Sequence, residues 1–136
     1  MNYTRQRREK IVIGDDDKPN KLVGGMLDDE IIGGSKNDIL QGRRGDDYII
    51  GGGGSNKVRG GAGADTFELR FGGRMVIRDY DPEEGDVITL PIYSSYEDME
   101  WKQKCNGKYI LYCEDQLVAK FRSPFNPNNV IIAVLD

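Results

Sequence analysis

The chain contains no histidine, two cysteines and one tryptophan in 136 residues. Without histidine there is no imidazole for acid–base catalysis at neutral pH and no His-rich zinc site. Cys105 and Cys113 lack C-x-x-C spacing, which predicts two free thiols and no thiolate metal site. No run approaches the roughly 20 apolar residues of a membrane span. Met1 to Gly14 lacks the apolar stretch of a signal peptide, so Sec-type export is not expected. A net charge of −4 argues against nucleic-acid binding through a basic face. The short basic stretch Arg5, Arg7, Arg8 and Lys10 reads as a solvated arm. Hydrophobic residues are only 38% of the chain against 31% charged, a composition that calls for something beyond apolar burial.

Glycine is abundant instead: the chain has 18, concentrated between Gly14 and Gly63. From Asp15 the sequence divides into six consecutive nine-residue blocks, DDDKPNKLV, GGMLDDEII, GGSKNDILQ, GRRGDDYII, GGGGSNKVR and GGAGADTFE, without an insertion. The sixth position reads Asn20, Asp29, Asp38, Asp47, Asn56, Asp65, and the eighth reads Leu22, Ile31, Leu40, Ile49, Val58, Phe67. Each block is thus a six-residue turn followed by a three-residue strand whose central side chain points inward. Two blocks form one coil, and coils stacked at about 4.8 Å make two parallel sheets. Leu22, Leu40 and Val58 line one sheet, Ile31, Ile49 and Phe67 the other, and Ile13 falls in register to start the second. Continuing the count places Arg74 at the sixth position and Val76 at the apolar one, so the roll is expected to end at residue 77.

Calcium takes about 6 to 8 oxygens from carboxylates and carbonyls together. A glycine turn ending in Asp offers both, and two turns eighteen residues apart can enclose one ion. The turns ending in Asp29, Asp47 and Asp65 form one edge of the roll. The other edge ends in Asn20, Asp38 and Asn56 and carries Lys18 and Lys36, so it is expected to hold calcium weakly or not at all.

The last block matches the G-G-x-G-x-D-x-U-x repeat, and with its neighbours it resembles the RTX (repeats-in-toxin, haemolysin-type) calcium-binding family. IRDYDPEEGDVITL and KYILYCEDQLVAKF resemble segments that follow such repeats. The resemblance implies one calcium site from Gly25, Leu27 and Asp29 with Gly42, Arg44 and Asp47, and a second from Arg43, Gly45 and Asp47 with Gly60, Ala62 and Asp65. Asp79 or Asp86 would close a terminal site below Gly61, Gly63 and Asp65, or else serve as a surface acid. Leu27 and Arg43 stand where the repeat favours glycine, and each is expected to strain its turn. The resemblance further implies an extracellular protein exported by a type I exporter, folding when calcium binds, or a polysaccharide-binding accessory module.

The expected fold is all-β: a right-handed parallel β-roll over residues 15–77, preceded by an arm and first strand at 1–14. An antiparallel β-rich cap follows at 78–136, and the ending VIIAVLD lies in the region where the resemblance places an export signal. The Asn106-Gly107 turn predicts a hairpin in the cap, with Trp101, Tyr109, Tyr112 and Phe121 available to cover the last coil. Outward-facing Ile32, Tyr48 and Ile50 form an apolar strip for the cap or a second copy of the chain. Tyr48, Tyr93 and Tyr96 are the aromatics available to stack on sugars. Asp79, Tyr80 and Asp81 are groups of the kind β-helix lyases use, but the chain is short and its aspartates belong to turns, so binding without turnover is expected.

Overall fold

The computed structural model describes residues 11–91 and 96–134. Arg5, Arg7, Arg8, Lys10, Tyr93 and the last two residues lie outside them, as does the side chain of Tyr96.

Each block folds as its pattern dictates, a Gly/Asp turn and then a short strand. The strands are β1 (Ile11–Ile13), β2 (Lys21–Val23), β3 (Glu30–Ile32), β4 (Ile39–Gln41), β5 (Tyr48–Ile50), β6 (Gly54–Arg59) and β7 (Thr66–Glu68). They alternate between two sheets. β1, β3, β5 and β7 stack in parallel in sheet A, while β2, β4 and β6 do so in sheet B. Turns and strands are too short for independent stability, so each rung depends on the next for its backbone hydrogen bonds.

Register is set by the inward residue. Ile31 pairs with Ile49 and Ile49 with Phe67; across the core Leu40 pairs with Val58. All five are fully buried. Each block therefore buries one large side chain, roughly 1.5–3 kcal/mol of apolar burial. That is small beside the conformational entropy of nine ordered residues.

Stacking does not stop at residue 77. β8 (Gly73–Ile77) extends sheet B, β9 (Val87–Leu90) extends sheet A, and β13 (Ile131–Val134) lies parallel to β9. β12 (Gln116–Phe121) continues sheet B parallel to β8, and then β11 (Tyr109–Cys113) and β10 (Met99–Gln103) add antiparallel strands. Roll and cap share both sheets. A cluster of Tyr80, Trp101, Tyr109, Phe121 and Phe125, mostly edge to face, fills the end of the core. Tyr112 stands apart from it, with the Lys102 ammonium 4.9 Å over its ring. The β11–β12 hairpin turns on Glu114 and Asp115, both with positive φ. Cys105 is exposed and Cys113 buried, and no disulfide joins them.

Two register expectations are corrected. Val12, not Ile13, pairs with Ile31, and Ile13 is 67% exposed. Ile77, not Val76, pairs with Val58 and is fully buried. Both spacings are nineteen residues rather than eighteen, and because pleating has period two, one extra residue exchanges the inner and outer faces. The same shift puts Met75 opposite Asn56, so a buried thioether rather than Arg74 ends that edge.

Candidate metal-binding edge

Along one edge Asp29, Asp47 and Asp65 stack at eighteen-residue intervals, and all are buried. Their order comes from the backbone: the Asp29 N–H donates to Asp47 Oδ1 at 2.8 Å, and the Asp47 N–H donates to Asp65 Oδ1 at 2.9 Å. Asp86 adds a fourth rung, with its Oδ1 accepting from the Asp65 N–H at 2.9 Å. It stands twenty-one residues on, beyond a 3₁₀ turn over Pro82–Glu84 that Asp81 caps. The signal was present in the sequence: Asp86-Val87-Ile88-Thr89 repeats the end of the block, displaced by three inserted residues. A strict nine-residue count passes over it.

The second oxygen of each carboxylate is aimed into its own turn. Asp29 Oδ2 accepts from the Gly25 N–H. A Cβ on Gly24 would lie 2.6 Å from Asp29 Oδ2 and 2.6 Å from the Gly42 carbonyl, so only glycine lets the turn close around the carboxylate. Asp65 Oδ2 is buried with no hydrogen-bond partner among the described residues. Burial, reinforced by the carboxylates of Asp86, Asp47 and Asp79, pushes the Asp65 carboxyl up to about 9 despite the hydrogen bond from Asp47. Asp86 is pushed up to about 6, again chiefly by burial.

Among the described residues no three His, Cys, Asp or Glu side chains converge as a metal-holding group. The edge offers one carboxylate per rung, and the remaining donors are turn carbonyls. Buried carboxylates stacked rung on rung, an Asp65 oxygen with no hydrogen-bond partner among the described residues and glycine turns lined with carbonyls together fit a hard cation with oxygen ligands.

Turns 42–47 and 60–65 share one backbone form, with φ of 78° and 94° at Arg43 and Gly45 and 88° and 108° at Gly61 and Gly63. Arg43 is thus held in the left-handed region, as its position in the repeat implies. Leu27 is not; the turn 24–29 avoids positive φ and takes a different form, leaving Leu27 58% exposed. Gly25, Leu27, Gly42 and Arg44 therefore surround a less regular pair of turns than Arg43, Gly45, Gly60 and Ala62 do. The carbonyls of Gly25 and Arg43 also accept from the next rung, from the Arg44 N–H at 3.2 Å and the Ala62 N–H at 2.8 Å, leaving each a second lone pair.

Asp79 clasps the amides of Gly60 and Gly61 at 2.9 and 2.8 Å. Glu84 reaches the Gly63 N–H at 3.4 Å. Tyr80 is buried, and its hydroxyl accepts from the Ile131 N–H at 3.2 Å. Asp79, Tyr80 and Asp81 are each engaged in holding loops.

The opposite edge is built differently. Asn20 donates its side-chain amide to the Asp15 and Lys18 carbonyls and to Asp38 Oδ1, at 2.8, 3.1 and 2.9 Å. Asn56 donates to the Gly51 and Gly53 carbonyls at 2.9 and 3.2 Å. Asp38 accepts from the Gly34 N–H at 2.9 Å and, through Oδ1, from the Asn20 N–H at 2.8 Å. The carbonyls of Asp15, Lys18, Gly51 and Gly53 at this edge thus face an asparagine N–H donor.

Ile32, Tyr48 and Ile50 stack on the outer face of sheet A, but Ile50 is only 7% exposed and the Tyr48 hydroxyl donates to Glu68 at 2.6 Å. The strip exposes less apolar area than its sequence suggests.

The RTX calcium-binding nonapeptide repeat, as a family model of four copies, matches residues 23–58 and again 32–67. The chain is also similar in fold to the solution structure of the AlgE6R3 subunit from the Azotobacter vinelandii mannuronan C5-epimerase. The TM-score is 0.60 and the identity 24%, over 83% of this chain and 77% of that one. No curated protein matches the chain by sequence. Residues 23–67, which match this family model and fold as stacked rungs, are RTX calcium-binding nonapeptide repeats.

Proposed function

We propose that this protein is a calcium-binding module whose Asp29/Asp47/Asp65/Asp86 edge completes its fold when ions occupy the spaces between turns. The observation that carries this reading is the buried carboxylate ladder, four acids stacked one per rung. Like charges this close destabilise the calcium-free fold, and bound calcium supplies the compensating charge, so binding free energy becomes folding free energy. Arg43, Gly45 and Asp47 with Gly60, Ala62 and Asp65 would hold one ion in the most regular pair of turns. Gly25, Leu27 and Asp29 with Gly42, Arg44 and Asp47 would hold a second, Asp47 serving both. Gly61, Gly63 and Asp65 with Asp86 would hold a third, while Asp79 organises the turn from its amide side. At the Asn20/Asp38/Asn56 edge the asparagine amides take the place of an ion.

Such a switch suits a protein that works outside the cell, where calcium is plentiful, and that reaches it through a type I exporter. A chain folded as a polysaccharide-binding accessory module is the second reading, favoured by the charge of one sheet face. Circular dichroism of the whole chain with and without calcium, with ion stoichiometry by calorimetry, tests the first. A calcium-dependent gain of β structure with two or three ions bound is expected. An unchanged spectrum and melting temperature after exhaustive chelation would overturn it.

A further inference from the structure

The outer faces of the two sheets carry opposite chemistry. On sheet A the outward residues of β3, β5, β7 and β9 are Glu30, Ile32, Tyr48, Ile50, Thr66, Glu68, Val87 and Thr89, with no cation. On sheet B the outward positions of β2, β4, β6, β8 and β12 include no acid. Instead they form two columns. Lys21, Ile39, Lys57, Val76 and Lys120 follow one another in register, a lysine on every second rung. Arg59, Arg78 and Arg122 each follow directly after the register partners Val58, Ile77 and Phe121, so three arginines occupy successive rungs. All three are exposed, and none forms an ion pair among the described residues. Between the columns lies a trough of about 290 Å³ lined by Lys21, Ile39, Gln41, Lys57, Arg59 and Arg78.

In a chain of net charge −4, segregating six unpaired cations on one flat face sets up a local potential that the protein as a whole lacks. From the arrangement we infer that the outer face of sheet B binds a linear polyuronate, laid across the strands. The rungs repeat at about 4.8 Å, so the face from β2 to β12 spans about 19 Å. An extended uronate chain carries one carboxylate on every sugar, close to one per rung. The planar guanidinium groups suit bidentate pairing with carboxylates, and the interleaved Ile39 and Val76 offer apolar contact to sugar rings. Single-stranded nucleic acid is recognised largely by stacking bases on aromatic side chains, and β2, β4, β6 and β8 present no aromatic on this face. The inference rests on the second reading above and not on calcium-coupled folding.

The test is calorimetric titration of the whole chain, at just-saturating calcium, with sized oligogalacturonate. Saturable binding that weakens with salt is expected. The triple variant R59Q/R78Q/R122Q should bind about tenfold or more weakly, and K21Q/K57Q should lose a smaller part. K18Q/K36Q, which removes two charges from the turns of the Asn20/Asp38/Asn56 edge, should bind like the parent. Absence of saturable binding, equal loss in all three variants, or tighter binding of single-stranded DNA of matched charge would each overturn the inference. Circular dichroism of the same samples reports the calcium response separately. Lost binding with that response intact removes only the polyuronate site, and a chain that ignores calcium but binds oligogalacturonate removes only the folding switch.

Discussion

The two edges of the roll are made from the same nine-residue block, yet they resolve the same problem in different ways. Both edges have glycine-rich turns and an Asp or Asn at the sixth position, buried at every rung but that of Asn20. At the Asn20/Asp38/Asn56 edge the asparagine amides donate to carbonyls of turns 15–20 and 51–56, so these carbonyls find their donors within the protein. At the Asp29/Asp47/Asp65/Asp86 edge every member is an acceptor, and the ladder accumulates negative charge with burial. On the reading proposed above, having amides at Asn20 and Asn56 where the other edge has carboxylates separates an internally hydrogen-bonded edge from a cation-binding one. One side of the roll is therefore expected to be intrinsically ordered and the other conditional on calcium.

The largest effect should come from removing calcium. Amide exchange in chelator should lose protection by more than about tenfold in the turns 42–47 and 60–65 while turns 33–38 and 51–56 keep most of theirs. Equal loss at both edges would break the comparison. Next in size is Asp47→Asn, which strikes the carboxylate shared by two of the proposed sites. It should remove about 2.7 kcal/mol of calcium-dependent stability for each site otherwise held at a hundred times its dissociation constant, read from denaturant melts.

The reverse exchange, Asn56→Asp, sharpens the contrast from the other side. It removes the donors to Gly51 and Gly53 and should cost about 1–3 kcal/mol in chelator, with calcium recovering part of the loss. A smaller effect should follow pH. Asp65 is raised in the folded chain to about 9 and Asp86 to about 6, so without calcium the folded state holds protons that the unfolded chain has released. Their contribution is present in full near pH 4 and is lost as pH rises through about 6 and then about 9. The calcium-free melting temperature should therefore fall between pH 5 and pH 8, and calcium affinity should rise over the same range. The smallest expected change is Arg43→Gly, which relieves a φ of 78° and should stabilise the chain by about 1 kcal/mol, visible as a higher melting temperature.

Much of this was legible in the blocks themselves. Position six named the ladder members and position eight named Ile31, Leu40, Ile49, Val58 and Phe67 as core, because a repeat without insertions makes spacing equivalent to stacking. The periodic reading broke wherever a residue had been added. One extra residue before β8 turned Val76 outward and Ile77 inward, and three extra residues before Asp86 hid the fourth rung of the ladder. Leu27 shows another limit: the repeat implies a left-handed turn there, but the turn 24–29 takes a form without positive φ, which local sequence pattern does not reveal.

What the sequence determined on its own is the rung: glycine and Asp or Asn dictate a turn, one apolar residue dictates the inward strand, and both follow from local sterics and a strict period. Only the tertiary structure decided which rungs continue into the cap and how the cations assemble. Arg59, Arg78 and Arg122 lie far apart in sequence, and they come to share one face because parallel stacking through β6, β8 and β12 aligns strands whose spacing no period records.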